Sequence, residues 1–524
     1  LKNYVNRIVA AVMLVAFCVA YLVWFPHMLY FHEQHHLFLF SMEYVKHMAH
    51  YKSIWWVIAE FITQFNHIPW LGALILSALF SATYLLTADV IKRVTGHRDW
   101  LQLSAILPIW MFLKTLIVDT FFDKDIKAMA IVLAVWVLAV IFARFLPWNR
   151  SKKAATIAAD ADKPAPEARW KKFVPIAGVV LFFVYFYAGW WMDTGDMVVT
   201  DPASNKTVTF TRAKRAEQRV DIRAMIETEQ AIKDERWDDA NNILLEWFTL
   251  GRRNHLMSYF RSLVLAHRGE LCKYLFDVPQ TFGVRALYYP WKADRNQAEY
   301  GHYVYQEMGH VNEAHRWMFE AFVGWGETAP IMRNLARYNI AMGRPKVAQR
   351  FIDKLKQSLF YRGEAERLEQ CLKQGEVPEI HAALKDVPAS PARWNNVKEL
   401  GPEAKFILMN DPDNVAAREY LMAYLLLGNN LERFIDNLEE YYPGVNSEDL
   451  PKCFREALAL VRMRFGTAAL ARMGYCVDDE TDEQFRLYMA EKQKGDRANF
   501  SPAMKRTYWY YTEHYNPDGR TLYF

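Results

Sequence analysis

Five apolar runs of about 20 residues occupy the first 192 positions of the chain, and no comparable run follows them. A helix of roughly 20 apolar residues crosses the hydrocarbon core of a bilayer, and few other folds can hold five such runs so close together. The expected spans are Val5–Phe25, Trp70–Ile91, Trp100–Phe122, Ile126–Leu146 and Phe173–Trp191. The first is too long for a secretory signal and lacks a small-residue cleavage site. The chain opens on Leu1 rather than Met, so residues are expected to precede it.

Charge orients these spans. One set of connections carries Lys2, Arg7, Lys92, Arg93, Arg98, Arg144, Arg150, Lys152, Lys153, Lys163, Arg169, Lys171 and Lys172, whereas the opposite set carries only Lys46, Lys52, Lys124 and Lys127. The basic side is expected to be cytoplasmic. The N-terminus then faces the cytoplasm, and everything after the fifth span lies outside, in the periplasm of a bacterium with two membranes. The chain has a mean hydropathy of −0.12 and a formal charge of +4. That modest charge excludes a dedicated nucleic-acid binder.

The expected fold class is all-α: a bundle of about five transmembrane helices followed by an α-solenoid. The division places a four-span region at 1–148 with a histidine-rich outer loop at 26–69. A cytoplasmic linker follows at 149–170, then a fifth span at 171–192 and an outward helical-repeat domain at 193–524. The linker reading rests on Ala, Pro and mixed charge between Asn149 and Arg169.

The repeat reading rests on an offset of 34 residues. Met308-Gly309 recurs as Met342-Gly343, Ala314 as Ala348, Arg316 as Arg350 and Trp317 as Phe351. Glycine at a turn between helices, and alanine where the two helices touch, resembles the tetratricopeptide repeat. Small residues let paired helices approach, and each pair covers its open face with the next. Trp237-Asp238-Asp239-Ala240, and Asp411–Asn414 ahead of Ala416, Ala417 and Tyr420, extend the pattern. Cys18, Cys272, Cys371, Cys453 and Cys476 show no C-x-x-C spacing, and long helices need no disulfide framework.

Three stretches carry a family resemblance: Phe31–Phe40 (FHEQHHLFLF), Glu419–Leu426 (EYLMAYLL) and Arg455–Leu458 (REAL). On these the chain resembles an uncharacterised family of Bacteroidota inner-membrane proteins with several spans and a C-terminal tetratricopeptide-like domain. The resemblance implies the architecture and no activity.

The histidine-rich loop offers the sharpest chemistry. It holds His27, His32, His35, His36, His47, His50 and His67, and His32–His36 spells H-E-x-x-H. On a helix, His32 and His36 share a face, as zinc metalloproteases use them, with Glu33 as the base and Glu60 as the third ligand. Zinc is thus the one cofactor with a candidate site. No third histidine follows at metzincin spacing, and an interfacial segment whose histidines sit among aromatics at headgroup depth is the favoured reading.

A second chemistry follows from layout. Polytopic glycosyltransferases using polyprenyl-phosphate sugars carry an acidic residue in the first outer loop, followed by interfacial helices. Here Glu33 and Glu43 would serve as the base, and Ile54–Phe65 as the interfacial helix. Lys114 falls inside the third span, where a charge pairs or snorkels. Its expected partners are Glu60, Asp119 or a lipid phosphate, and Asp119, Asp123 and Asp125 form an acidic outer turn.

No phosphate-binding loop, dinucleotide fingerprint or nucleophile elbow occurs. The leading expectation is a membrane-anchored, non-catalytic scaffold whose repeats, with signature Gly309, Ala314, Gly343 and Ala348, bind protein partners while the spans contact membrane lipids. Tyr288–Trp291 and Tyr508–Tyr511 are candidate contact points, with core packing the favoured alternative.

Overall fold

The computed structural model describes residues 4–117, 122–142, 173–194, 197–200, 207–210, 212–290, 295–384, 399–493 and 500–515. The chain divides into two compact units. The first comprises Leu1–Ile222 with Glu327–Ala329 and Lys354–Gly363; the second holds Arg223–Gly326, Pro330–Asp353 and Glu364–Phe524.

In the first unit, α1 (Val5–Val19) continues through a π-turn to Trp24. Pro26 opens α2 (Pro26–Gln34), a position where its missing N–H costs nothing. Two short helices follow, α3 (Met42–Tyr51) and α4 (Ile54–Thr63); Ser53 caps α4 by accepting from the Trp56 amide at 3.1 Å. The long helices α5 (Pro69–Thr95), α7 (Asp123–Phe142) and α8 (Val174–Thr194) flank the shorter α6 (Ile106–Lys114). Helix α1 packs on α5 and α8, α5 also packs on α7, and α6 lies against α5 and α8. Phe17 stacks on Phe112 at 4.6 Å and meets Phe80 and Phe182 edge-on at 5.9 Å.

Among the described residues four helices are long and apolar enough to cross a membrane: Val5–Trp24, Pro69–Thr95, Asp123–Phe142 and Val174–Met192. Ile131, Leu138, Val180 and Val184 on the last two are about half exposed, an apolar outer surface of the kind that lipid covers.

The third expected span differs. Its helical part covers only Leu103–Lys114, about 18 Å at 1.5 Å per residue, instead of Trp100–Phe122. Asp99 ends the preceding loop by accepting from the Leu103 and Ser104 amides at 3.0 and 2.8 Å. At the other end the Thr115 carbonyl accepts from His32 Nε2 at 2.8 Å. The segment nevertheless covers much of the depth of α1. The Tyr84 hydroxyl lies 2.5 Å from Gln102 and 3.4 Å from Asn6, while Tyr21 lies 2.6 Å from Thr115. The expected linker at 149–170 lies outside the described residues.

After α8 comes an antiparallel hairpin, β1 (Met197–Thr200) paired with β2 (Thr207–Phe210), so the fold is helical apart from one two-stranded sheet among the described residues. Helix α9 (Arg212–Lys233) contains the boundary between the units.

The second unit is helical throughout its described residues, and one turn recurs. Glu235, Gly269, Gly309, Gly343 and Asn429 all have φ between 54° and 78°. The residue after each donates its amide back across the turn: Arg236 to Ala231, Glu270 to Leu265, His310 to Tyr305, Arg344 to Asn339 and Asn430 to Leu425, at 2.8–2.9 Å. This is the Schellman ending of a helix. In four cases a new helix starts at once, at Trp237, Val311, Pro345 and Leu431. Ala240, Ala314 and Ala348, five residues beyond Glu235, Gly309 and Gly343, are fully buried. Glu235 and Gly269 stand 34 positions apart, as do Gly309 and Gly343.

The two aromatic stretches proposed as contact points are core. Tyr288 and Tyr289 are buried, and Trp291 lies outside the described residues. Tyr508–Tyr511 are all buried, with Trp509 and Tyr510 in a cluster with Phe485, Tyr488 and Phe500. The buried Glu456 carboxylate accepts from the Tyr508 amide at 2.7 Å, and its carbonyl accepts from Trp509 Nε1 at 2.7 Å.

Candidate functional site

The histidine-rich loop folds back on the first unit. His32 lies in the last turn of α2, and His36 follows just past the helix end, so the H-E-x-x-H stretch is only partly helical. His32 Nε2 lies 2.8 Å from the Thr115 carbonyl, and His36 Nδ1 lies 2.6 Å from the His32 carbonyl. His35 Nδ1 meets the Phe31 carbonyl at 2.8 Å. Because a carbonyl only accepts, each of these nitrogens carries a hydrogen, and the other nitrogen of each neutral ring is an acceptor. Burial pushes the His32 and His36 pKa values down to about 4 and about 3, so both rings are neutral at ordinary pH.

Glu60 sits apart, accepting from the Tyr44 hydroxyl and from Trp56 Nε1 at 2.8 Å. Burial raises its pKa to about 7 despite these two donors. Among the described residues no three His, Cys, Asp or Glu side chains converge as a metal would require. In this arrangement His32 and His36 bond backbone carbonyls, while Glu60 bonds Tyr44 and Trp56.

Glu33 is buried and fully engaged. Its carboxylate accepts from the Tyr361 hydroxyl, from Gln34 Nε2 at 2.6 Å and from His67 Nδ1 at 3.2 Å. Phe360 stacks on His67 at 5.0 Å, and the Phe40 amide donates to the Gln357 carbonyl at 2.7 Å. Glu43, by contrast, is exposed in the first turn of α3. Lys354 bonds Glu327; burial lowers its pKa, and the charge of Glu43 opposes that shift.

Lys114 does not reach for Glu60. Its ammonium lies 2.9 Å from Asp125 at the start of α7 and 4.7 Å from the centre of the Trp110 ring. Asp119 lies outside the described residues. Asp125, Tyr21, His32, Thr115 and Asn66 line a cavity of about 20 Å³, room for about one water. The Asn66 side-chain oxygen is buried there with no hydrogen-bond partner.

Sequence reasoning missed Thr115, Tyr44, Trp56 and Tyr361 as partners, and Asp125 as the counter-ion of Lys114. Only Asp125 left a signal, because its acidic turn begins a few residues after Lys114.

The geometry defines a helical protein with four helices long and apolar enough to cross a membrane and a second unit of Schellman-linked helices. A family model described as a family of unknown function (DUF6057) matches residues 2–159 and 110–514, and the chain belongs to that family. No curated protein and no solved structure matches it.

Proposed function

We propose that the chain is a membrane-anchored scaffold whose second unit is a tetratricopeptide-like array that binds a protein partner. The observation that carries this is the recurring turn: a positive-φ residue, an immediate new helix and a buried alanine five residues on occur at Glu235, Gly309 and Gly343, the last two 34 residues apart. Arrays of this kind present the first helices of successive pairs as one continuous surface, which suits an extended segment of another protein.

The anchor would have five passes. Gln102 near Asn6 and Thr115 near Tyr21 support a third pass built from a short helix with capped ends. With the basic connections inside, the second unit faces outward, periplasmic in a bacterium with two membranes, and a Bacteroidota inner membrane is the setting the sequence resemblance suggests. The engagement of Glu33 by three donors, and of the histidines by carbonyls, gives no support to a carboxylate base or a zinc centre.

Two measurements test the reading. Single cysteines at exposed positions 43 and 320, in a background without the native ones, should react with a membrane-impermeant maleimide from the outer side. Labelling of both only after the cells are opened would refute the orientation. Crosslinking in native membranes, followed by purification of the full chain, should recover a stoichiometric protein partner. Recovery of the chain alone would defeat the scaffold.

A further inference from the structure

Helix Ala329–Ala341 carries Arg333 and Arg337 four residues apart, on one face. The Nε groups of both are buried and have no hydrogen-bond partner. Arg337 has only long contacts, 3.3 Å to Asn334 and 3.8 Å to Glu379. Glu379 is held more closely by Arg367, at 2.7 Å. Among the described residues Arg333 has no ion pair or hydrogen bond.

The surroundings add positive charge rather than remove it. His302 bonds the Tyr338 hydroxyl at 2.6 Å, and Tyr338 donates to Gln306 at 2.7 Å. Burial first, then Lys233 and Arg337 with a smaller push from Arg333, hold His302 well below its ordinary pKa, against the pull of Glu299. Lys233 is taken by Glu229 at 2.7 Å and lies 3.9 Å from Glu299. Among the described residues Arg333 thus has no carboxylate, and Arg337 shares Glu379, at 3.8 Å, with the closer Arg367.

We propose that Arg333 and Arg337 form an anion site that binds a carboxylate of an acidic protein segment. A guanidinium fork matches a carboxylate with two parallel hydrogen bonds, and desolvated donors gain most from such a partner. The neighbouring Glu379 favours a monoanion over a dianionic phosphate, because it would repel the second charge. The proposal rests on the scaffold reading and names the chemistry of its partner.

The test uses the full chain in lipid nanodiscs and three probes by fluorescence competition. They are a tetraglutamate peptide with an amidated end, a tetraglutamine peptide with a free C-terminal carboxylate, and inorganic phosphate. One or both peptides should bind, and whichever binds distinguishes a side-chain carboxylate from a chain end. Arg333→Gln and Arg337→Gln should each weaken that binding by about tenfold or more. Arg333→Gln should leave thermal stability unchanged or raised, since the group it removes is unpaired. The wild-type chain should also gain thermal stability from the bound peptide, which reads the site without any variant.

Unchanged peptide affinity in both variants, preference for phosphate, or no binding and no thermal shift with any probe would overturn the anion site. If crosslinked partners persist undiminished in Arg333→Gln, the scaffold stands and the site falls. If no partner is recovered while the peptides bind Arg333, the scaffold falls and the site stands.

Discussion

Tyr361 donates its hydroxyl hydrogen to Glu33, a residue 328 positions away, and both belong to the first compact unit. The segment Lys354–Gly363 therefore returns to close the histidine-rich loop, with Phe360 stacked on His67 beside it. Tyr361→Phe removes one of three donors to a buried carboxylate and should cost about 1–3 kcal/mol. The expected readout is faster protease cleavage between 354 and 363 and a lower Tm. Equal cleavage rates would show that the bond contributes nothing.

Lys114 and Asp125 pair at 2.9 Å with side chains 15% and 2% exposed. Lys114→Met or Asp125→Asn alone leaves a poorly solvated charge, for an expected loss of about 3–5 kcal/mol. The double variant should regain much of it. A double-mutant cycle by detergent thermal unfolding checks this; additive losses would argue against the pair.

His36 loses stability in acid. Its folded pKa of about 3 lies below the unfolded value near 6.5, so its contribution is present above pH 6.5 and fades as pH falls toward 3. At pH 5 the loss is about 2 kcal/mol. His36→Asn should show a smaller drop in Tm between pH 7 and pH 5 than the wild type. Parallel curves would contradict the burial argument.

Glu456 behaves oppositely. Burial raises its pKa to about 7, with Lys452 and the Tyr508 amide pulling it back. Ionisation therefore costs stability above pH 7, and the cost disappears as pH falls from 7 toward 4.5. Glu456→Gln should raise stability at pH 8 by up to about 3 kcal/mol and change little at pH 4. The check is Tm against pH for both proteins.

The turns make a graded set. A Cβ at Gly309 would lie 2.9 Å from Ala383, whereas one at Gly343 meets nothing within 4 Å, and both have positive φ. Gly343→Ala should cost about 1–2 kcal/mol from backbone strain alone, and Gly309→Ala clearly more. Glu235→Gly, which relieves the same strain, should stabilise by a few tenths to about 1 kcal/mol. Urea midpoints for the three variants give the order directly.

Much of the architecture was legible because it depends on near-neighbour patterns. A run such as Val174–Met192 has nowhere to bury apolar side chains on all faces except lipid, and the 34-residue offset locates two turns by their glycines. The same signal missed Glu235 and Asn429, which adopt the turn without glycine. In the third expected span the described helix covers Leu103–Lys114, and the Thr115 carbonyl bonds His32, a partner that hydropathy does not register. The aromatic stretch Tyr508–Tyr511 looked like a surface as easily as a core, since composition does not say what packs against it.

Sequence alone determined the apolar runs, the charge asymmetry of their connections and the helical character of the rest, because each is a regularity along the chain. Tertiary structure decided the chemistry. Whether Glu33 is a base or a strut depends on Tyr361, and which nitrogen of His32 carries its hydrogen depends on Thr115. Lys114 took Asp125 rather than Glu60, and Arg333 and Arg337 were left with unpaired donors, through contacts that no local pattern encodes. Proton affinity and pairing are set by burial and by groups tens to hundreds of residues away, and only the folded chain brings those together.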